Sequence, residues 1–304
     1  MAAHKTEKAA ERTTTNRLIA VGLDFNEGAR PAVARAAQIA KATGSHLLLV
    51  HAVTETTVVP TAPLPGDWTA PAVAASTPEG QSALVAQAEM AGKKLAAELE
   101  MPDVETVVRT GKPHDALAHV AERRGARIVV LGVHAPLTPG ESFFLGSTAE
   151  RTIRMGSTPV LLARRRDLTP YHKILVPVDL GELSMDVLRL LASTFPDAEY
   201  DLVHFLPHAQ PTHVTAKERR VGFEASIASL AIGAGLDNKR TRVRAFVAEP
   251  RSGILGEVKS RGHDLVAMGT HARSGLARVL LGSVADYVIH SAVTADVLVV
   301  PPAR

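Results

Sequence analysis

Lys173-Ile174-Leu175-Val176-Pro177-Val178-Asp179 repeats a pattern met much earlier in the chain, Arg17-Leu18-Ile19-Ala20-Val21-Gly22-Leu23-Asp24. Each is a short apolar run that ends on a lone aspartate. Each gives way to a helical pattern, Glu182 to Thr194 in one case and Glu27 to Thr43 in the other. The correspondence continues. Arg127-Ile128-Val129-Val130-Leu131-Gly132 aligns with Asp264-Leu265-Val266-Ala267-Met268-Gly269, and Phe144-Leu145-Gly146-Ser147-Thr148-Ala149 with Leu280-Leu281-Gly282-Ser283-Val284-Ala285. Val160 to Ala163 and Val297 to Val300 then close the two copies. At about 150 residues per domain, a chain of 304 residues has room for two, and these matches make it the same unit twice. The first copy is longer, and Thr54 to Gly80, rich in Pro, Thr and Ala, reads as an inserted loop. The expected organisation is a flexible tail over 1–16, a domain over 17–164, a linker over 165–172 and a second domain over 173–304.

Within each copy, β-branched runs alternate with helical patterns. Strands are expected near 17–24, 46–53, 104–110, 127–133 and 159–163, and again near 173–179, 200–206, 242–248, 264–269 and 296–301. Runs this continuously apolar are buried on both faces, as in a parallel sheet covered by helices. The fold class is therefore α/β: two tandem open parallel five-stranded sheets flanked by helices, of Rossmann type. The arginines of Arg164-Arg165-Arg166-Asp167 read as a solvated, charged boundary.

Composition removes several classes of function. The chain has no cysteine, which excludes disulfides, Cys-ligated zinc, iron–sulfur clusters and thiol catalysis. A net charge of +3 is too dilute for a nucleic-acid partner. The charged start over 1–16 has no apolar core for a secretory signal, and no stretch is long enough to span a bilayer. A cytoplasmic protein with no membrane partner is expected. Neither a P-loop nor a G-x-G-x-x-G follows any strand, and G-x-S-x-G is absent.

In an open parallel sheet, ligands bind beyond the carboxyl ends of the strands at the topological switch point. Asp24 and Asp179 sit at such ends. An aspartate there has two uses, accepting hydrogen bonds from sugar hydroxyls or capping the next helix. Gly269 ends a strand, and Gly282-Ser283 precedes the last helical pattern. A glycine and a hydroxyl residue at a helix N-terminus offer donors to a phosphate; Ser283 as a plain N-cap and Gly269 as a tight turn are the simpler alternatives. Arg273 to Arg278 forms a loop that brings positive charge over the same place.

Gly269-x2-Ala272-x9-Gly282-Ser283, lying after a strand and before a helix, resembles the G-x2-G-x9-G-[ST] segment of the universal stress protein family. Val176-Pro177-Val178-Asp179 is similar to that family's first strand, with Ser184 where the following helix begins. Both halves match over nearly their whole length. The resemblance implies a stress-response or signalling module that binds an adenine nucleotide, ATP or AMP or ADP, with Mg²⁺ as a possible companion. Asp179 would face the ribose, and the backbone at Pro177 and Phe205 would frame the adenine. Gly269, Gly282, Ser283 and Val284 would cradle the phosphates, with Met268, His271, Ala272 and Arg273 alongside. The family's second glycine is Ala272 here, a change that weakens or redirects binding if the backbone needs φ > 0.

The first copy keeps Asp24, Gly132, Gly146, Ser147 and Thr148 but departs further. It has Ala135 at the second glycine, one extra residue, two prolines and Glu141 in the loop, a poor phosphate lid. Nucleotide is expected mainly in domain 2. The resemblance also implies pairing through the last strands, so Val160 to Ala163 and Val297 to Pro301 are expected to make an internal pseudo-dimer, with a homodimer as an option. The alternatives are a nucleotide-independent interaction scaffold with degenerate pockets, whose protein partner is unknown, and a slow ATP hydrolase acting through Asp179. No catalytic residue is assigned. His204-x3-His208-x4-His213 matches no standard metal spacing and reads as a solvated loop. The neighbours His114-Asp115 and His263-Asp264 give no catalytic geometry by adjacency alone.

Overall fold

The computed structural model describes residues 17–25, 29–54, 78–101, 103–133, 145–206, 215–270, 281–291 and 294–302. The tail over 1–16, most of the inserted loop, His134, Ala135, Glu141, His208, His213, and the segment that carries His271, Ala272, Arg273 and Arg278 lie outside these residues. The described elements are β1 (Leu18–Leu23), α1 (Arg30–Thr43), β2 (His46–Val53), α2 (Pro78–Glu98), β3 (Val104–Thr110), α3 (Pro113–Arg123), β4 (Ile128–Gly132), α4 (Ser147–Met155) and β5 (Val160–Ala163). They continue with β6 (Lys173–Pro177), α5 (Glu182–Thr194), β7 (Glu199–Leu206), α6 (Ala216–Gly233), β8 (Thr241–Val247), α7 (Pro250–Arg261), β9 (Leu265–Gly269), α8 (Ser283–Ser291) and β10 (Asp296–Val300). Every expected strand is present within two residues of its expected ends. Pro78 to Gly80, read from sequence as the end of the inserted loop, instead form the first turn of α2.

The chain divides into two compact units, one made of residues up to Val133 with Gly146–Thr152, the other containing Ile153–Arg304. In unit 1 the strands lie in the order β3-β2-β1-β4, all parallel. Ile19, Ala20 and Val21 of β1 and Ile128, Val129 and Val130 of β4 are buried, which is why these runs carry no polar alternation. In unit 2 the order is β5-β10-β9-β6-β7-β8. Here β6 to β10 are mutually parallel, and β5 runs antiparallel to β10 with Leu161 opposite Leu298. Thus the last strands of the two sequence repeats pair within one chain, the edge-covering contact expected of an internal pseudo-dimer. Sequence repeats and compact units divide differently at β5, because that pairing places it in unit 2.

Helix boundaries follow local chemistry. Pro250 opens α7, and the Glu249 carboxylate before it accepts from Ser252 N–H at 2.9 Å. Thr215 and Glu218 make a reciprocal capping box at the start of α6. On β7, His204 meets Phe223 of α6, while the next residue, Phe205, meets Gly253 of α7, so these helices cover opposite faces. A β-carbon at Gly253 would overlap the Phe205 ring, so closely does α7 approach the sheet.

The linker corrects the solvated-boundary reading. Arg166, Leu168, Thr169 and Pro170 are exposed, but Arg164 and Arg165 are half-buried and tied down. Asp296, fully buried at the start of β10, accepts from the backbone N–H of Arg164 at 2.6 Å and of Arg165 at 2.8 Å. Its other oxygen accepts from the Tyr171 hydroxyl at 2.5 Å. Asp264 accepts from the N–H of His172 and of Lys173. The linker is therefore built into unit 2.

Candidate functional site

In unit 2 the chain runs from β6 outward through β7 and β8, then returns to β9 on the other side of β6. The switch point lies between β6 and β9, and the carboxyl ends of those strands carry Asp179 and Gly269.

Asp179 is exposed, and its Oδ1 accepts from Ser184 Oγ at 2.7 Å and Gly181 N–H at 3.0 Å. The carboxylate braces the entry to α5 without being its N-cap, which is Gly181. Between Asp179 and Gly181, Leu180 is left-handed, φ +64°. A non-glycine residue there costs about 1 kcal/mol or more, so surrounding contacts hold it. In unit 1, Phe25 follows Asp24 in the same conformation, φ +56°. The turn that presents the aspartate is shared by both repeats, and nothing in the residue types Phe and Leu announced it.

Gly269 is required by packing. A β-carbon on it would lie 2.5 Å from Leu183 Cδ2 and 2.6 Å from its Cγ, on the face covered by α5. Alternation turns Met268 and Thr270 to the opposite face; Met268 is buried, and Thr270 is fully buried with no partner for its Oγ1 among the described residues. A buried hydroxyl without a partner is rare enough to need an explanation.

Gly282 C=O accepts from Asp286 N–H at 2.8 Å, the first helical bond of α8. Gly282 is therefore the N-cap, and Ser283, read from sequence as a possible cap, is the first helical residue. Its hydroxyl is exposed, and the amides of Ser283 and Val284 belong to the helix's unpaired first turn. Such amides, at the positive end of the helix dipole, favour an anion. In unit 1, Gly146 takes the same place before Ser147 and Thr148, with Glu150 N–H bonded to its carbonyl at 3.2 Å. Gly132 ends β4 as Gly269 ends β9. The two sites differ beside the aspartate: Ala29 stands in unit 1 where Ser184 stands in unit 2.

Two histidines lie at the ends of the strands next to the aspartates. His51 Nδ1 bonds the Leu23 carbonyl at 2.7 Å, and His204 Nδ1 bonds the Val178 carbonyl at 2.6 Å. Burial pushes the His51 pKa down, against the Leu23 bond and the charge of Asp24. Among the described residues no cluster of three His, Asp or Glu side chains could hold a metal ion. No helix described is long and apolar enough to cross a membrane.

A parallel sheet built twice, with an aspartate and a glycine-led helix at each switch point, defines a class of tandem α/β proteins. The universal stress protein family model matches residues 15–164 and again 170–301, and the chain belongs to that family. It is similar in fold to a universal stress protein of Archaeoglobus fulgidus DSM 4304, with TM-score 0.71 and 15% identity over 94% of this chain and 98% of that one. A protein of unknown function from Pseudomonas aeruginosa PAO1, PA1789, gives TM-score 0.66 and 19% identity over 95% and 94%. Among curated proteins, universal stress protein MJ0577 of Methanocaldococcus jannaschii is 31% identical over 64 residues, 21% of this chain. That match spans 39% of the relative's length.

Proposed function

We propose that this chain is an adenine-nucleotide-binding stress-response or signalling module, with ATP or AMP held mainly by unit 2. The observation that supports the reading is Asp179, held by Ser184 at the carboxyl end of β6 beside the β6–β9 switch point, in a unit whose α8 opens on Gly282 with an anion-favouring first turn. The residues present suit a nucleotide's two halves. Asp179, oriented by Ser184, accepts from ribose hydroxyls; the amides of Ser283 and Val284 and the Ser283 hydroxyl donate to phosphate oxygens. Gly269 keeps α5 close to the floor of the crevice. The preference for unit 2 rests on Ser184, whose place Ala29 takes in unit 1. Bound nucleotide supplies charge and bulk at the mouth of the sheet, and the chain's residues supply recognition rather than a positioned base for hydrolysis.

Calorimetric titration of ATP, with Mg²⁺ present, into wild type and Gly282→Asp tests this. One binding site is expected in wild type. The variant, which sets a carboxylate against the phosphates, is expected to bind at least about tenfold more weakly, a difference of about 1.4 kcal/mol or more. Absence of heat and of thermal stabilisation in wild type would overturn the reading and leave an interaction scaffold.

A further inference from the structure

Among the described residues, β8 pairs with β7 alone, so it is the outer strand of unit 2. Its backbone groups alternate between two sides. Tyr200 N–H of β7 donates to the Arg240 carbonyl, and Ala248 N–H donates to the Leu206 carbonyl, so the even-numbered residues from Arg240 to Ala248 bond inward. Thr241, Val243, Ala245 and Val247 therefore turn their amides and carbonyls away from the sheet. An edge of this kind is a template for another strand.

Two of the four outward amides are already engaged. Thr241 N–H meets the Asn238 carbonyl of the preceding turn at 3.4 Å. Ala245 N–H donates to Oε1 of Glu224, on α6, at 3.0 Å. Among the described residues this bond is the one polar contact that Glu224 makes, and no cation pairs with it. The half-buried carboxylate reaches the sheet edge and holds the place where the carbonyl of a further strand would sit. The amides of Val243 and Val247, on either side, have no partner among the described residues. Glu224 thus interrupts the free groups at their centre, and no two successive outward amides stay open.

We infer that Glu224 is a guard residue that keeps β8 from pairing with a second copy of this chain. The partner fits by symmetry. Two β8 strands laid antiparallel about a two-fold axis at Val243 bring Thr241 of each opposite Ala245 of the other, and every rung uses outward-facing groups. Ala245 N–H then needs the Thr241 carbonyl of the second copy, which is the bond that Glu224 forestalls. Charge does not oppose this pairing, since Arg242 is ion-paired to Glu199 at 3.3 Å and Arg244 to Glu257 at 2.7 Å. The guard acts whether or not a nucleotide is bound.

Amide exchange in the wild type is the first test. After correction for intrinsic rates, Ala245 N–H is expected to exchange about tenfold or more slowly than Val243 and Val247 N–H on the same edge. Equal rates would show that the contact does not form and would end the proposal. The second test is oligomeric state, by light scattering over a concentration series. Glu224→Ala, which removes two such bonds per pair of copies, is expected to self-associate at about tenfold lower concentration than wild type. Glu224→Gln, whose side-chain oxygen still accepts, is expected to match wild type. Adding Val243→Pro to Glu224→Ala removes an outward donor without touching the ladder to β7, and is expected to restore wild-type behaviour. Thermal melts establish that each variant is folded. Identical association of Glu224→Ala and wild type, or association that survives Val243→Pro, would overturn the guarding role.

Discussion

Asp296→Ala is expected to cost about 3–5 kcal/mol of unfolding free energy, the scale for removing one member of a buried, hydrogen-bonded charge cluster. Asp296 is fully buried, and its two oxygens accept from Arg164 N–H, Arg165 N–H and the Tyr171 hydroxyl. Its charge also stands near the Arg164 guanidinium, which burial pushes down to about 10 against the opposing pull of Asp296. That guanidinium donates to the Ile289 carbonyl at the end of α8, so the linker, β10 and α8 share one buried centre. Alanine removes the acceptor for three donors and the counter-charge in one step, and water cannot take its place without opening β10. Urea unfolding at pH 7 measures the loss as a lower midpoint at unchanged slope. Thr169→Ala, on the exposed part of the same linker, is the control and should move stability by less than about 0.5 kcal/mol. A loss below about 1 kcal/mol for Asp296→Ala would show that the linker is held by something else.

The strands were legible because parallel strands buried on both faces must be apolar throughout, as Ile19-Ala20-Val21 and Leu265-Val266-Ala267 are. Duplication made the reading stronger, since each run could be checked against its copy. The glycines and aspartates of the site were legible for a related reason: their chemistry depends on position along the chain, at a strand end or a helix start. What escaped depends on partners distant in sequence. Arg164 and Arg165 read as solvated because their neighbours are charged, and only the fold brings Asp296 and Asp264 to their backbone. His204 read as the strand-end member of a histidine group whose others lie in the following loop, and only the fold brings its Nδ1 to the Val178 carbonyl just after β6. Leu180 and Phe25 gave no sign of their left-handed backbone, because that conformation is imposed by the turn and is not preferred by the residue. Thr270, inside a motif where attention falls on glycines, became notable only once its hydroxyl proved buried and unpaired among the described residues.

The same limit applies to His263, whose sequence neighbour Asp264 serves the linker while its true partner is Asp201 on β7. His263 Nε2 lies 2.8 Å from Asp201 Oδ2, both side chains almost wholly buried, and Nδ1 faces the Glu257 carbonyl at 3.1 Å. Arg244 of β8 approaches the same carboxylate at 3.5 Å and Glu257 of α7 at 2.7 Å, and Arg261 closes on Glu257 at 3.0 Å. Unit 1 has Leu48 three residues before His51, where unit 2 has Asp201 three residues before His204, so the first repeat lacks the carboxylate of this centre. Asp201→Ala is expected to destabilise by about 3–5 kcal/mol near neutral pH, because it leaves the buried His263 Nε2 without its partner and removes one of the two carboxylates beside Arg244. The effect has a defined acid limit. Burial alone would raise the Asp201 pKa, but the His263 bond and the charges of Arg244, His263 and Lys173 outweigh it and hold the carboxyl below its usual value. A depressed folded value means the unfolded chain binds the proton first, so the ionised carboxylate's contribution is complete above about pH 3.9 and fades as pH falls through the lower folded value. Thermal melts of wild type and Asp201→Asn between pH 7 and pH 3 should therefore show a gap that is constant down to about pH 4 and narrows below it. A gap that widened on acidification would mean that Asp201 is protonated more readily folded than unfolded, and that burial, not its cationic neighbours, governs this centre.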